Sequence, residues 1–247
     1  MPSPTFYFNS LVKSAIDYPP YYSIFVTLPK CIFRCDYCYS KDIVEDKTGI
    51  RFTINDIIDY ISKANRKFRI IQAIVVSGGE PLLYQNDLIE FFEVLKIKFP
   101  YLKLRIDTTL ALNIDKRLYD YLDGIAVTIK PISIYKDFRV LKNNLSAFPE
   151  FEFSEIRLTI HKNNYEEVFE TFLNVKDLIS ENSKIRIIPA VFLGKNHHFG
   201  SFDYFTSEDE IGDILNEFKY LFEDFELIVD FENVKKNKQI AFLQSLF

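Results

Sequence analysis

Every cysteine of this 247-residue chain lies in "CIFRCDYCYS", residues 31–40. Thiols at 31, 35 and 38, with none elsewhere, form a ligand set rather than an accident of composition. A disulfide framework is a poor reading, because three is odd and the first thirty residues lack a cationic start followed by an apolar run. Structural zinc closes with four protein ligands, and His161, His197 and His198 are the only histidines that could supply the fourth. An iron-sulfur cluster of the 4Fe-4S type also wants four ligands, but three cysteines leave one iron open to a substrate or cofactor. A second motif, "SGGEP" at 77–81, follows the next strand. Read with it, the C-x3-C-x2-C spacing selects the cluster.

The elements that must position these residues alternate regularly. Apolar β-rich runs at 22–28, 73–77, 102–107, 124–129, 155–160 and 184–189 predict strands. Between them, amphipathic patterns predict helices at 53–64, 86–99, 115–122, 135–145 and 164–180, the first begun by Thr53 and Asp56. A loop rich in Gly, His and Phe spans 193–205, and a C-terminal extension follows: a helix at 207–222, an apolar run at 225–231 and a helix near 233–246. Six such units imply an α/β fold with a parallel sheet, an open or partial β/α barrel forming a single domain over residues 1–247. Ligands in such folds sit at the carboxyl ends of the strands. The cluster loop 29–40, Ser77 to Pro81, Asp107 to Thr109, Thr128 to Pro131 and His161 all fall there.

Composition narrows the function. The net charge of -5 removes the broad basic surface that nucleic-acid binding would need. The most apolar run, "IIQAIVV" at 70–76, is far shorter than the roughly 20 residues of a membrane span. The expected protein is cytoplasmic, with no membrane or nucleic-acid partner.

Cys31, Cys35, Tyr37 and Cys38 match the C-x3-C-x-aromatic-C pattern of the radical S-adenosylmethionine enzymes, and Gly78, Gly79 and Glu80 match their Gly-Gly-Glu motif. The chain is identified as similar to that family. The resemblance implies a 4Fe-4S cluster on the three cysteines, with S-adenosyl-L-methionine bound at its open iron. One electron, from a donor such as flavodoxin or ferredoxin, then cleaves the cofactor to methionine and a 5'-deoxyadenosyl radical that takes hydrogen from the substrate. The bare glycines would let a backbone carbonyl approach the bound amine. "KSAIDYPPYYSIFVTLPKCIFRCDYCYS", "SGGEPLL", "RIDTT" and "GIAVTIKP" further resemble the activating enzymes of anaerobic ribonucleotide reductase and pyruvate formate-lyase, over residues 11 to about 131.

That resemblance implies cofactor contacts at Tyr37, Gly78, Gly79, Glu80, Asp107, Thr109, Thr128 and Lys130. Those activases read Asp-Thr-Asn-Gly where this chain has Asp107, Thr108, Thr109 and Leu110, and an aspartate where it has Thr128. If the two aspartates share a cation or a positively charged cofactor edge, as the resemblance suggests, losing one halves the local negative charge. Lys130 and His161 are the candidate catalytic residues. The ordinary alternatives are a salt bridge from Lys130 to Asp107 and a structural hydrogen bond at His161. Arg34 and Asp36 are expected to shape the loop, and His197 and His198 to lie in solvent or on a lid. Two functions follow. The altered strand ends favour a small-molecule substrate, first among them queuine, in a lyase of 7-deazaguanine salvage that releases the deazapurine base. The N-terminal match favours the alternative, an activase that installs a radical on a glycyl radical enzyme.

Overall fold

The computed structural model describes residues 6–38, 40–66, 70–191 and 203–244. One eight-stranded sheet runs in chain order: β1 (Ser10–Ser14), β2 (Ser23–Leu28), β3 (Ala73–Gly78), β4 (Lys103–Thr108), β5 (Gly124–Ile129), β6 (Phe153–Ile160), β7 (Lys184–Pro189) and β8 (Glu226–Val229). β1 is antiparallel to β2, and every later pair is parallel. β1 and β8 are the two unpaired edges, so the barrel is open, as expected. β2 to β7 are the six expected strands, and the apolar run after 225 adds β8 as a seventh parallel one.

The helices are α1 (Lys41–Val44), α2 (Ile54–Ala64), α3 (Gln85–Lys98), α4 (Phe138–Ser146), α5 (Tyr165–Leu173), α6 (Glu208–Glu217) and α7 (Phe231–Gln244). α2 starts at Thr53: its hydroxyl accepts from the Asp56 amide at 3.2 Å, and Asp56 accepts from the Thr53 amide at 2.8 Å. The helix expected at 115–122 is instead a 3-10 turn over Lys116–Asp120. Leu118 and Leu122 are the two apolar side chains this segment buries, too few to hold a longer helix against its entropy cost. The pattern at 164–180 breaks after Leu173, where Asn174 caps α5, and resumes as a 3-10 turn at Lys176–Leu178. Among the described residues no helix is long and apolar enough to cross a membrane.

Each parallel strand has two faces, because successive side chains point opposite ways. Ile24, Val26, Ile74, Val76, Leu104, Ile106, Ile125, Val127, Ile156, Leu158, Ile185 and Ile187 face the helices in the main core. The alternate row faces the barrel interior. Its foot is a small aromatic cluster, where Tyr18 packs with Ala73, Val75, Phe25 and Phe153. Above that foot the inward row turns polar.

Candidate active site

Backbone contacts between β2 and β3 set the cysteine loop. The Gly79 amide donates to the Leu28 carbonyl at 2.9 Å, and the Glu80 amide to the Lys30 carbonyl at 2.9 Å. A Cβ on Gly78, whose φ is +119°, would lie 2.3 Å from the Leu28 oxygen, and one on Gly79 would lie 1.5 Å from the Lys30 oxygen. The two glycines therefore let the end of β3 lie flush against the chain entering Cys31. The missing side chains face the loop's own backbone, and both glycines also line the cavity beside the cysteines. Inside the loop, the Arg34 guanidinium donates to the Cys31 and Phe33 carbonyls at 2.8 and 2.9 Å, and the Cys38 amide to the Cys35 carbonyl at 3.1 Å. Arg34 thus shapes the loop, as expected.

All three sulfurs are half-buried on the wall of a cavity of about 780 Å³. Tyr37, Gly78, Gly79, Asp107, Thr109, Thr128 and Lys130 line the same cavity. Three soft donors on one loop, beside an open space of this size, fit a cluster and a cofactor at its free iron. Burial pushes the Cys31 thiol up to about 11, so capturing a metal there releases protons. Among the described residues no three His, Cys, Asp or Glu side chains form a group able to hold a single metal ion.

Lys130 follows β5 and donates from Nζ to the Tyr37 hydroxyl at 3.1 Å, with Nζ 5.0 Å from the ring centroid. Burial opposes its charge, but the Cys35 sulfur and the Tyr37 oxygen together hold its pKa above the ordinary lysine value. The considered salt bridge to Asp107 is absent. Asp107 instead accepts from Arg105 Nε at 2.7 Å and from an Arg157 terminal nitrogen at 2.6 Å. Although burial opposes ionisation, these two arginines hold its carboxyl below the usual range. Each Asp107 oxygen thus already faces a guanidinium, while the residue also lines the cavity.

Glu80 and His161 lie behind the cavity wall. The Glu80 carboxylate is fully buried. One oxygen accepts from the Thr108 hydroxyl at 2.5 Å and the Leu82 amide at 3.1 Å, the other from the Thr109 amide at 2.9 Å and the Thr109 hydroxyl at 2.5 Å. It ties the end of β3 to the end of β4. Leu110, where the activase pattern has glycine, keeps the left-handed backbone with φ at 52°, and its carbonyl accepts from Asn144 at 2.8 Å. His161, also buried, lies under the loop with Nε2 3.3 Å from Asp36 and its ring against Tyr37. Burial works against the Asp36 charge, yet His161 holds that carboxyl below its ordinary value. His197, His198 and most of the 193–205 loop lie outside the described residues.

Sequence reading missed Arg105, Glu155, Arg157 and Arg186, which join Asp107 in a charged row across the barrel interior. Their signal is a charge at every second place in "LKLRID", charged or polar residues at every second place in "EIRLTI", and one charge flanked by apolar residues in "KIRIIP".

The model of the Radical SAM superfamily matches residues 25–198. A chain of Methanocaldococcus jannaschii with a provisional glycyl-radical enzyme activating enzyme name is 34% identical over 134 residues, 51% of this chain and 50% of its own. The pyruvate formate-lyase-activating enzyme of Listeria monocytogenes is 35% identical over 72 residues, 29% of each chain. The anaerobic ribonucleoside-triphosphate reductase-activating protein of Enterobacteria phage T4 is 29% identical over 79 residues, 31% of this chain and 48% of its own. The matched stretches thus span half or less of these relatives. The solved structure of native anSMEcpe with bound AdoMet superposes with a TM-score of 0.55 at 16% identity, covering 82% of this chain and 63% of that one.

Proposed function

This chain belongs to the Radical SAM superfamily, which uses a 4Fe-4S cluster and S-adenosylmethionine, and from that premise we propose that it activates a glycyl radical enzyme. The observation that carries this reading is that the three sequence relatives above are all named as activating enzymes. When bound, the cluster and cofactor supply a one-electron cleavage that ends in removal of a hydrogen atom from the substrate. Cys31, Cys35 and Cys38 would hold the cluster. Lys130 keeps a positive charge on the cavity wall beside the loop, suited to the carboxylate of the cofactor. Tyr37 orients that ammonium by hydrogen bond and ring face. Glu80 and His161 act as positioning residues, one bracing the ends of β3 and β4, the other bracing the loop from beneath.

The lyase reading rested on Thr109 and Thr128 as altered strand ends. The Thr109 amide and hydroxyl both donate to Glu80, so that substitution offers the cavity little new chemistry. Thr128 alone is a weak basis for a deazapurine substrate. The electron would come from a reduced flavodoxin- or ferredoxin-like protein.

The test is anaerobic incubation of the reconstituted protein with dithionite, S-adenosylmethionine and, in separate tubes, pyruvate formate-lyase and anaerobic ribonucleotide reductase. Electron paramagnetic resonance should show a glycyl radical in one of them, and none when Cys35→Ala replaces the wild type. Silence in both clients, with a queuine pool consumed under the same conditions, would return the assignment to the lyase.

A further inference from the structure

Three residues of the C-terminal segment reach the cavity: Asp230, which follows β8, and Asn233 and Lys236 on α7. They lie outside residues 25–198, the stretch that the superfamily model matches. A helix advances about 3.6 residues per turn, so their spacing of three sets them along one face. α7 packs against β7, and the same segment pins the exit of that strand. The Asp230 amide donates to the Ile187 carbonyl at 3.0 Å, Asn233 Nδ2 to the Pro189 carbonyl at 3.0 Å, and Asn237 Nδ2 to the carbonyls of Ala190 and Phe205 at 2.9 and 3.0 Å.

The two asparagines differ in what they leave unused. Asn237 is fully buried, and its Nδ2 serves two carbonyls. Asn233 is half-buried on the cavity wall and directs one hydrogen to Pro189, while among the described residues its Oδ1 has no hydrogen-bond partner. The Pro189 oxygen fixes which way this amide lies, because turning it over would set two acceptors face to face. Oδ1 and the second Nδ2 hydrogen therefore remain for a ligand. Beside them Ile188, Ala190 and Val191 make the wall apolar, so a hydrogen bond formed there loses less to competing water.

This position is separate from the cysteines and from Lys130. Through the register of β5, β6 and β7, Lys130 is level with Thr159 and Ile188, two strands away, or about 10 Å at about 4.8 Å per strand. The cysteine loop follows β2, which is further still around the sheet. α7 follows β8, an edge of that sheet, and so borders the open side of the barrel. A cofactor held between the cysteines and Lys130 leaves this wall to the molecule from which hydrogen is taken.

We propose that Asn233 binds a carboxamide of the molecule from which hydrogen is taken. A carboxamide fits because the unused groups are one acceptor and one donor, the complement of an amide N–H and C=O. The charged side chains on the cavity wall are four of each sign, so recognition there falls to neutral groups. On the activase reading, on which only the source of the amide rests, it belongs to the main chain of the segment that carries the reacting glycine. A free carboxamide is the other source of the same chemistry.

The reconstituted protein, loaded with S-adenosylmethionine and kept oxidised, is titrated calorimetrically with acetyl-Ala-Gly-Ala-amide, with analogues in each of which an ester replaces one amide, and with propionamide. One ester analogue should bind about fivefold or more weakly than the parent peptide, and Asn233→Ala should erase that difference. Equal affinities across the analogues, no binding by any probe, or a difference surviving in Asn233→Ala would each overturn the assignment. Binding of propionamide but of no peptide, lost in Asn233→Ala, would keep the carboxamide site and count against the activase reading. Affinity for S-adenosylmethionine should be the same in wild type and variant, and a loss of about fivefold or more would give Asn233 to the cofactor and overturn the proposal. Asn233→Leu fills nearly the same space without hydrogen-bonding groups, and replaces the Ala variant under the same criteria if that fails to fold.

Discussion

Glu80 directs all four of its hydrogen bonds to amides and hydroxyls of its own neighbourhood, so it supports the site without facing it. Glu80→Ala would leave the buried Leu82 and Thr109 amides unpaired, and should lower stability by roughly 2–5 kcal/mol in urea unfolding. A loss under about 1 kcal/mol would mean that water or a shifted chain replaces the carboxylate. The residue was legible in the sequence as part of "GGE", but its partners were not. They come from the next strand, and only the lateral placement of β3 against β4 brings them within reach. The cysteines were fully legible, because a ligand set on one short loop needs no tertiary information. His161 was half legible: its place after a strand was read, but not that the loop would cover it.

At the scale of elements, the junction of β3 with the loop after β2 depends on the absence of one side chain. Gly79→Ala puts a carbon 1.5 Å from the Lys30 oxygen, so the segment entering Cys31 must move. We expect this variant to retain far fewer than the about four irons of a reconstituted cluster. Gly212→Ala is the control: it lies in α6 with nothing within 4 Å of the added carbon, and should gain about 0.5–1 kcal/mol while keeping its iron. Full iron retention in Gly79→Ala, measured per chain, would show that the loop can shift without losing the cluster. The strands from β2 to β7 were readable because each pairs an apolar row with a run of β-formers. β1 was not, since "SLVKS" is five residues long and ends on a polar edge. The turn at Lys116–Asp120 was overread as a helix because two leucines at helical spacing mimic the start of one.

For the whole molecule, the interior row links folding to acidity. Asp107 and Glu155 have depressed folded-state pKa values, so the stability they contribute is present above their unfolded values, about 3.9 and 4.3, and is lost as pH falls through the folded ones. Wild type and Glu155→Gln, unfolded side by side from about pH 6 down to about pH 4 or lower, should therefore converge in stability as the wild-type carboxylate protonates. A gap that stays constant with pH would mean that Glu155 contributes through shape rather than charge. The same row sets a rule for the descent of this chain. Apolar and charged residues alternate along β4 and β6, so adding or deleting one residue inside either strand would exchange the two rows past that point, sending arginines toward the helices and isoleucines into the cavity. Inherited changes of length must therefore fall in the loops, or enter a strand two residues at a time. The strands can diverge only by substitution, each position keeping the parity it was born with.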